Sequence, residues 1–263
     1  MRSPEALTTF KQHLSFDPIG TPTGNLTLGK GRVNGTNAMI AIVESRIASG
    51  ALGVAECDKL ASAFKIAATT KQPLFLWLDS AGAKVSEGLP ALGAFRRMFG
   101  AALVAAASGA PIAVACGTNC FGGASMTAAL AGRRLYCDNT RFAMSGPAIL
   151  AQAAGMASTD EMFQAMAAAA IGVETRTLIA PANVRFDAAK LGIVPPLDLV
   201  TRHRELKSRL EAAQRLPRSG APESIRRKDF DKLYADGYEA SMVGQVITGT
   251  GTREGVRANF VGW

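Results

Sequence analysis

The sequence predicts an α/β fold built from repeated strand–turn–helix units. Two apolar runs each end in a glycine-rich turn, at residues 74–83 and 112–125. Four to eight apolar residues bounded by turn formers are typical of strands that are buried on both faces. A third unit follows, in which a strand at 141–144 leads through Ser145-Gly-Pro147 into a helix. Such alternation indicates stacked βαβ units whose ligand lies at the strand ends.

The first elements follow from hydrophobic spacing and turn residues. Predicted strands at 26–30 and 38–43 flank Asn34-Gly35, a pair typical of a tight hairpin turn. Apolar residues then recur at three- and four-residue spacing up to Thr70, which predicts an amphipathic helix. They are Val54, Cys57, Leu60, Phe64 and Ala67. Residues 89–108 are apolar on nearly every side and predict a buried helix.

The later part of the chain changes character after Pro195-Pro196. Before these prolines, the second of the two apolar runs predicts a strand that ends at Cys116. The elements predicted after it are a helix at 123–131, strands at 135–137 and 141–144, and a helix at 160–170. Residues 1–196 therefore form one predicted domain. Residues 197–263 are predicted to be a charged helix, a linker and a C-terminal arm. Because the arm carries isolated large apolar side chains, we expect it to lie on a partner.

Composition limits the possible classes of protein. The 263 residues are 48% hydrophobic and 19% charged, as in a globular domain, and the N-terminal residues lack an apolar signal segment. We therefore expect a cytoplasmic protein without a membrane span. The four cysteines lie in or beside apolar segments and include no paired C-x-x-C, which favours reduced core thiols over disulfides or zinc. The net charge of +8 suits an acidic partner. The basic residues are scattered along the chain, which disfavours nucleic-acid binding.

Three motifs resemble one enzyme family. Asp79-Ser-Ala-Gly-Ala-Lys-Val-Ser-Glu-Gly88 resembles the D-S-G-G-A-R-[IV]-x-E-G element of biotin-dependent carboxyltransferases, and Cys120-Phe-Gly-Gly-Ala-Ser125 resembles their second glycine pair. Ser145-Gly-Pro-Ala-Ile-Leu150 is similar to the N-G-P-x-V-I segment of the β subunit of biotin-independent malonate decarboxylase. The motifs occur in the family's order, and the resemblance covers about residues 25–195.

The resemblance implies a ClpP/crotonase-like superhelix of repeated ββα units. It also implies decarboxylation, or carboxyl transfer, of a malonyl-type thioester whose carrier is coenzyme A or the phosphopantetheine of an acyl carrier protein. No metal and no tightly bound cofactor are expected. The implied partner is a second crotonase-fold subunit of the C-domain type in a hetero-oligomer, because the family encloses its thioester between two such domains.

Carried over by position, the resemblance also names site residues. Backbone amides at Gly82, Ala83, Gly122, Gly123 and Ala124 are the implied catalytic groups, since paired N–H donors stabilise an oxyanion or enolate. The implied substrate-binding residues are Ala81, Lys84, Phe121, Gly146 and Pro147. Three positions depart from the family pattern: Ala81 replaces a glycine, Lys84 an arginine and Ala148 an often acidic residue. The chain also lacks a zinc ribbon and a Met-Lys-Met biotin attachment site.

Several alternatives remain open on the sequence. The chain can be a biotin-dependent acyl-CoA carboxyltransferase subunit or a non-catalytic scaffold subunit. A Clp-type peptidase needs a histidine where Ser145 stands, so Ser125 is interpreted as a packed helix residue. Enoyl-CoA hydratases need carboxylates beside the thioester, and the nearest, Glu87, is interpreted as a cap of backbone amides.

Lys84 either anchors an anion or is solvated. Cys120 is not expected to be a nucleophile, and the two histidines, at 13 and 203, are interpreted as surface or helix residues.

Overall fold

The predicted alternation of strands and helices produces one mixed sheet covered by helices. The computed structural model describes residues 1–144, 171–198, 201 and 204. Its strands are β1 Asp17–Pro18, β2 Leu26–Val33, β3 Thr36–Val43, β4 Leu74–Ser80, β5 Ile112–Phe121, β6 Arg133–Tyr136, β7 Arg141–Ala143 and β8 Asn183–Arg185. Its helices are α1 Ser3–His13, α2 Val54–Thr70, α3 Gly88–Ala107, α4 Gly123–Ala129 and α5 Val173–Ile179. Short 3₁₀ turns cover Ala48–Gly50, Val85–Glu87 and Ala188–Lys190.

The order of the strands brings the two glycine-rich turns to one edge of the sheet. The strands lie in the order β1, β2, β3, β4, β5, β6, β8, and β7 pairs with the end of β5. β2 is antiparallel to both of its neighbours, β1 and β3. From β3 onward, through β4, β5, β6 and β8, adjacent strands are parallel. Since β4 and β5 are parallel neighbours, the turns that follow them leave the sheet on the same side.

The hairpin and the first long helix agree with their sequence signals. Asn34 and Gly35 have φ angles of 50° and 78°, the left-handed values that a two-residue hairpin turn requires. α2 begins at Val54 and extends to Thr70, and it ends where Lys71 adopts a left-handed conformation. The predictions for both elements are confirmed.

The central strands separate two hydrophobic layers. The three leucines of β4 lie in the larger cluster, together with side chains from α2 and α3. The alternate residues Phe75 and Trp77 lie in a second cluster with α1. Trp77 packs edge-on against Phe10 of that helix, with ring centroids 5.6 Å apart. Both faces of the strand are therefore apolar, which explains why the sequence shows a continuous run rather than an alternation.

The prediction of a buried helix at 89–108 holds only for the inner face of α3. Six of its alanines and Met98 pack inward, but Leu89, Leu92 and Val104 are exposed. Among the residues that the structure describes, α3 packs its inner face against α2 and the main core, and its outer face has no neighbour. The segment Val85–Ala107 is long and apolar enough, by length and composition, to cross a membrane. Because its inner face packs in the main core of the domain, this criterion is weak evidence for a span.

β5 is longer than the sequence predicts. The predicted strand ends at Cys116, whereas the structure continues it to Phe121, because residues 119–121 pair with β7. The expectation of buried thiols is confirmed, since all four cysteines are free and buried. The predicted turn at 145–147, the helix at 160–170 and nearly all of the segment 197–263 lie outside the described residues.

Candidate active site at two glycine-rich turns

The structure brings the two predicted glycine-rich turns into contact. Gly82 and Gly122 both have positive φ angles, 102° and 56°. A Cβ added to Gly122 would lie 3.4 Å from the Cα of Gly82, and one added to Gly82 would lie 3.3 Å from the carbonyl oxygen of Phe121. Glycine is needed at both positions because the backbones approach closely in conformations that other residues rarely adopt.

The first turn, after β4, uses most of its own N–H groups internally. Ser80 Oγ accepts a hydrogen bond from the Gly82 amide at 3.1 Å and donates to a carbonyl of the loop before α2 at 2.7 Å. The amides of Ala81 and Lys84 donate to carbonyls of the same loop, at 2.9 and 2.8 Å. The Ala83 amide has no acceptor among the residues that the structure describes. Of the predicted residues of this turn, Ala83 therefore presents an open donor.

The second turn, after β5, contains two amides that are not used in backbone hydrogen bonds of the described residues, at the partly buried Gly123 and the buried Ala124. The Gly122 amide donates to the carbonyls of Ala143 and Met144, at 3.1 and 3.0 Å, and so fixes the turn to the end of β7. The amides of Gly123 and Ala124 have no acceptor within the described ranges. The first amides of a helix lack intrahelical partners, and both residues lie in the first turn of α4. Gly122 thus shapes the turn, and its two successors offer the donors.

A side chain of α3 lies directly beside the second turn. A Cβ on Gly123 would lie 1.6 Å from Cζ of Phe95 and 2.1 and 2.3 Å from its two Cε atoms. Phe95 is half-buried and packs on the main core. The ring tip therefore occupies the place of a side chain at position 123, which excludes any residue other than glycine unless the ring moves.

A buried carboxylate, which sequence reasoning did not single out, supports both turns. Asp79 is the last residue but one of β4, and its Oδ1 accepts from the Asn119 amide at 2.9 Å. Its Oδ2 accepts from Ser45 Oγ at 3.0 Å. A Cβ on Gly117 would lie 2.5 Å from the Asp79 Cβ, so the strands are in close contact here. The only sequence signal was an acidic residue at the end of an otherwise apolar run.

Lys84 forms an ion pair beside the first turn. Its Nζ lies 2.9 Å from Oε1 of Glu87, whose Oε2 accepts from the Val54 amide at 2.8 Å. The hydrogen bond from Val54, followed by that from Lys84, lowers the pKa of Glu87. The hydrogen bond to Glu87 raises the pKa of Lys84. The interpretation of Glu87 as a cap of backbone amides is confirmed.

The remaining predicted binding residues fall into two groups. Ala81 is exposed and Phe121 is half-buried, and both lie at the rim of the two turns. The Arg141 guanidinium lies 5.7 Å from the centre of the Phe121 ring. Gly146 and Pro147 lie outside the described residues.

The candidate nucleophilic side chains are held by contacts within the fold. Ser125 is buried, and its Oγ donates to the Gly122 carbonyl at 2.7 Å. Burial raises the pKa of the Cys120 thiol well above its usual value. His13 Nε2 lies 3.2 Å from the Leu191 carbonyl oxygen, whereas the second histidine, at position 203, is outside the described residues. In the part of the chain that the structure describes, no three His, Cys, Asp or Glu side chains group to hold a metal.

Solved structures share this architecture. A Pseudomonas malonate decarboxylase hetero-tetramer in complex with malonate contains a chain that is 20% identical, with a TM-score of 0.70 over 87% of this chain and 94% of that chain. Transcarboxylase 12S with methylmalonyl-coenzyme A and methylmalonic acid bound is 21% identical, with a TM-score of 0.57 over 72% of this chain and 39% of that one. These similarities show that the fold is the crotonase-like fold of carboxyltransferases.

Sequence comparison leads to the same family. The methylmalonyl-CoA carboxyltransferase 12S subunit of Propionibacterium freudenreichii subsp. shermanii is 26% identical over 150 residues, which are 56% of this chain and 28% of that protein. This chain thus matches less than a third of that relative's length. A family model for the carboxyl transferase domain matches residues 8–174, more than half of the sequence. The chain therefore belongs to the carboxyl transferase domain family.

Proposed function

We propose that this chain is the subunit of a decarboxylase that removes CO₂ from a malonyl-type thioester. The observation that carries the proposal is the contact between the two glycine-rich turns, where the amides of Ala83, Gly123 and Ala124 have no acceptor among the described residues. Family membership supports carboxyl transfer or decarboxylation as the reaction class. The choice of malonyl rests on the sequence resemblance and on the malonate bound in the Pseudomonas neighbour.

The reaction needs stabilisation of an anion more than it needs a base. When the bond between the α carbon and the carboxylate breaks, its electron pair becomes the enolate and CO₂ leaves. The negative charge collects on the former carbonyl oxygen, where aimed N–H groups stabilise it. One such donor contributes typically about 3 kcal/mol, which corresponds to a rate factor of about a hundred. A proton from water or from a partner group then converts the enolate into the acetyl thioester.

We assign the oxyanion donors to Gly123 and Ala124, with Ala83 on the opposite turn. Gly122 and Gly82 hold the turns in register, since their own amides are bonded within the chain. A low-dielectric surrounding strengthens such donors, and the half-buried Phe95 beside Gly123 contributes to it.

The substrate-binding roles belong to the rim of the two turns. Lys84 is the proposed anchor for a carboxylate or a carrier phosphate, because Glu87 holds its ammonium group in place beside the first turn. Ala81 and Phe121 line the thioester, together with Gly146 and Pro147 from the third motif. The carrier is coenzyme A or the phosphopantetheine of an acyl carrier protein, and the neighbour that binds methylmalonyl-coenzyme A supports a thioester of this type.

We further propose that a second carboxyltransferase-type subunit completes the site. Directly after the first turn, three large apolar side chains face outward: Val85, Leu89 and Leu92 are 88%, 82% and 52% exposed. Contiguous apolar surface of this kind marks interaction sites. The hetero-tetrameric assembly of the Pseudomonas neighbour supports a partner of the same class. Covering this surface also excludes water from the adjacent turns.

The test is CO₂ release from malonyl-coenzyme A and from a malonyl-carrier protein. The chain is assayed with and without a second carboxyltransferase-type subunit, while light scattering follows the mass of the complex. We expect stoichiometric CO₂ and acetyl thioester from the complex and little turnover by the chain on its own. Full turnover by a homogeneous monomer would contradict the proposed partner. Absence of CO₂ release from a complex that binds the thioester would contradict decarboxylation.

A second candidate function is carboxyl transfer to biotin. The match to the methylmalonyl-CoA carboxyltransferase 12S subunit favours it. The same amides would stabilise the same enolate, so the two reactions differ only in the acceptor of the carboxyl group. Addition of a biotinylated carrier to the assay separates them: CO₂ transfer onto biotin, rather than CO₂ release, identifies the carboxyltransferase.

A further inference from the structure

The contact between α3 and the second turn is unusually close. The tip of the Phe95 ring, formed by Cζ and the two Cε atoms, lies where Gly123 would carry a side chain. Gly123 is itself only partly buried, and so is Phe95. The ring therefore stands at the border between the core and the open side of the turn.

The position of Phe95 on its helix explains this placement. One turn earlier, Leu92 is exposed, and one turn later Phe99 packs against Met126 and Ala129 as well as the main core. Along α3, Phe95 thus lies between Leu92, which faces solvent, and Phe99, which packs against side chains of α4. Its ring is held by the core on one side and borders the Gly123 backbone at its tip.

We infer that Phe95 is a specificity-determining residue that limits the size of the substituent on the α carbon of the thioester. This inference rests on the proposed function, in which the carbonyl oxygen accepts hydrogen bonds from Gly123 and Ala124. The α carbon is bonded directly to the carbonyl carbon, so any group on it lies beside these donors. An aromatic ring at the Gly123 backbone narrows the space beside the α carbon, so a methyl branch is disfavoured relative to the two hydrogens of a malonyl group. The chain accordingly prefers malonyl and acetyl groups over methylmalonyl and propionyl groups.

A binding measurement tests the inference without reference to turnover. Dissociation constants for acetyl-coenzyme A and propionyl-coenzyme A are measured by calorimetry on the complex with the partner subunit. A single methyl group in an apolar pocket changes discrimination by about 10- to 200-fold. We therefore expect wild type to favour the acetyl thioester and Phe95→Ala to shift the ratio of the two constants toward propionyl by about tenfold or more. Phe95→Leu keeps more of the packing and shifts the ratio in the same direction.

Phe99→Ala is the matched control, because it deletes the same ring one helical turn further from Gly123. It should lower stability but leave the ratio of dissociation constants unchanged. The inference is overturned if folded Phe95→Ala and Phe95→Leu keep the wild-type ratio, if Phe99→Ala shifts it equally, or if wild type binds neither thioester. Failure of the proposed function looks different: both thioesters bind with the expected ratio, but malonyl-coenzyme A releases no CO₂ and transfers none to biotin.

Discussion

Adding one methyl group at Gly123 tests the geometry of the second turn. In Gly123→Ala the new Cβ would lie 1.6 Å from Cζ of Phe95, against an ordinary carbon–carbon contact of about 3.5–4.0 Å. Either the ring must rotate away or the turn must move. Overpacking of this kind costs about 1–3 kcal/mol of folding stability. If the turn moves, the Gly123 amide loses its aim, and loss of one oxyanion donor lowers kcat about a hundredfold.

Urea denaturation and the rate of CO₂ release measure these two effects on the same preparation. Phe95→Ala makes room for the new methyl group. The loss of folding stability caused by Gly123→Ala should therefore be smaller in the Phe95→Ala protein than in wild type. Gly100→Ala is the control, since a Cβ at Gly100 meets nothing within 4 Å and alanine stabilises a helix interior by about 0.5–1 kcal/mol. Wild-type stability together with more than half the wild-type rate in Gly123→Ala would refute the reasoning.

Three further predictions concern individual side chains. Ser125→Ala should keep most of the activity, because its hydroxyl bonds the helix backbone and is not a nucleophile; covalent labelling of Ser125 by a fluorophosphonate would contradict this. Burial raises the pKa values of Cys57 and Cys137 to about 12. Both thiols should therefore resist a thiol reagent at pH 8 until denaturant is added. Rapid labelling of the folded protein would show instead that they are accessible. The lowered pKa of Glu87 means that its ionised form stabilises the fold above its ordinary pKa of 4.5 and that this contribution is lost as the pH falls through the lowered value. Glu87→Gln should therefore lower Tm at pH 7, and this difference in Tm from wild type should shrink as the pH falls below the lowered pKa. A difference in Tm that is the same at pH 7 and in acid would show that the ionised Glu87 is not its cause.

Local signals in the sequence were sufficient for the hairpin, α2 and the location of the turns. Asn34-Gly35 carries its own backbone preference, and the spacing from Val54 to Thr70 specifies one apolar face. Outward exposure of Leu89 and Leu92 has no such signal, because composition does not reveal which side of α3 finds a neighbour. The extension of β5 to Phe121 depends on pairing with β7, a partner about twenty residues further along the chain.

The same distinction applies to the site. The glycine pattern identified both turns, since close backbone approach demands glycine. It did not distinguish Gly122, whose amide bonds the end of β7, from Gly123, whose amide has no acceptor within the described part of the chain. The support from Asp79 and the contact of Phe95 with Gly123 also arise from tertiary packing. Sequence reasoning therefore located the two turns but did not distinguish the N–H groups within them.

The most direct test of the amide assignment is a crystal structure of the complex with a stable, non-decarboxylating malonyl thioester analogue. We expect the analogue's carbonyl oxygen to lie within about 3 Å of the amide nitrogen of Gly123 or Ala124, the distance at which an oxyanion donor acts. Binding with that oxygen turned away from both turns, or held by side chains alone, would contradict it.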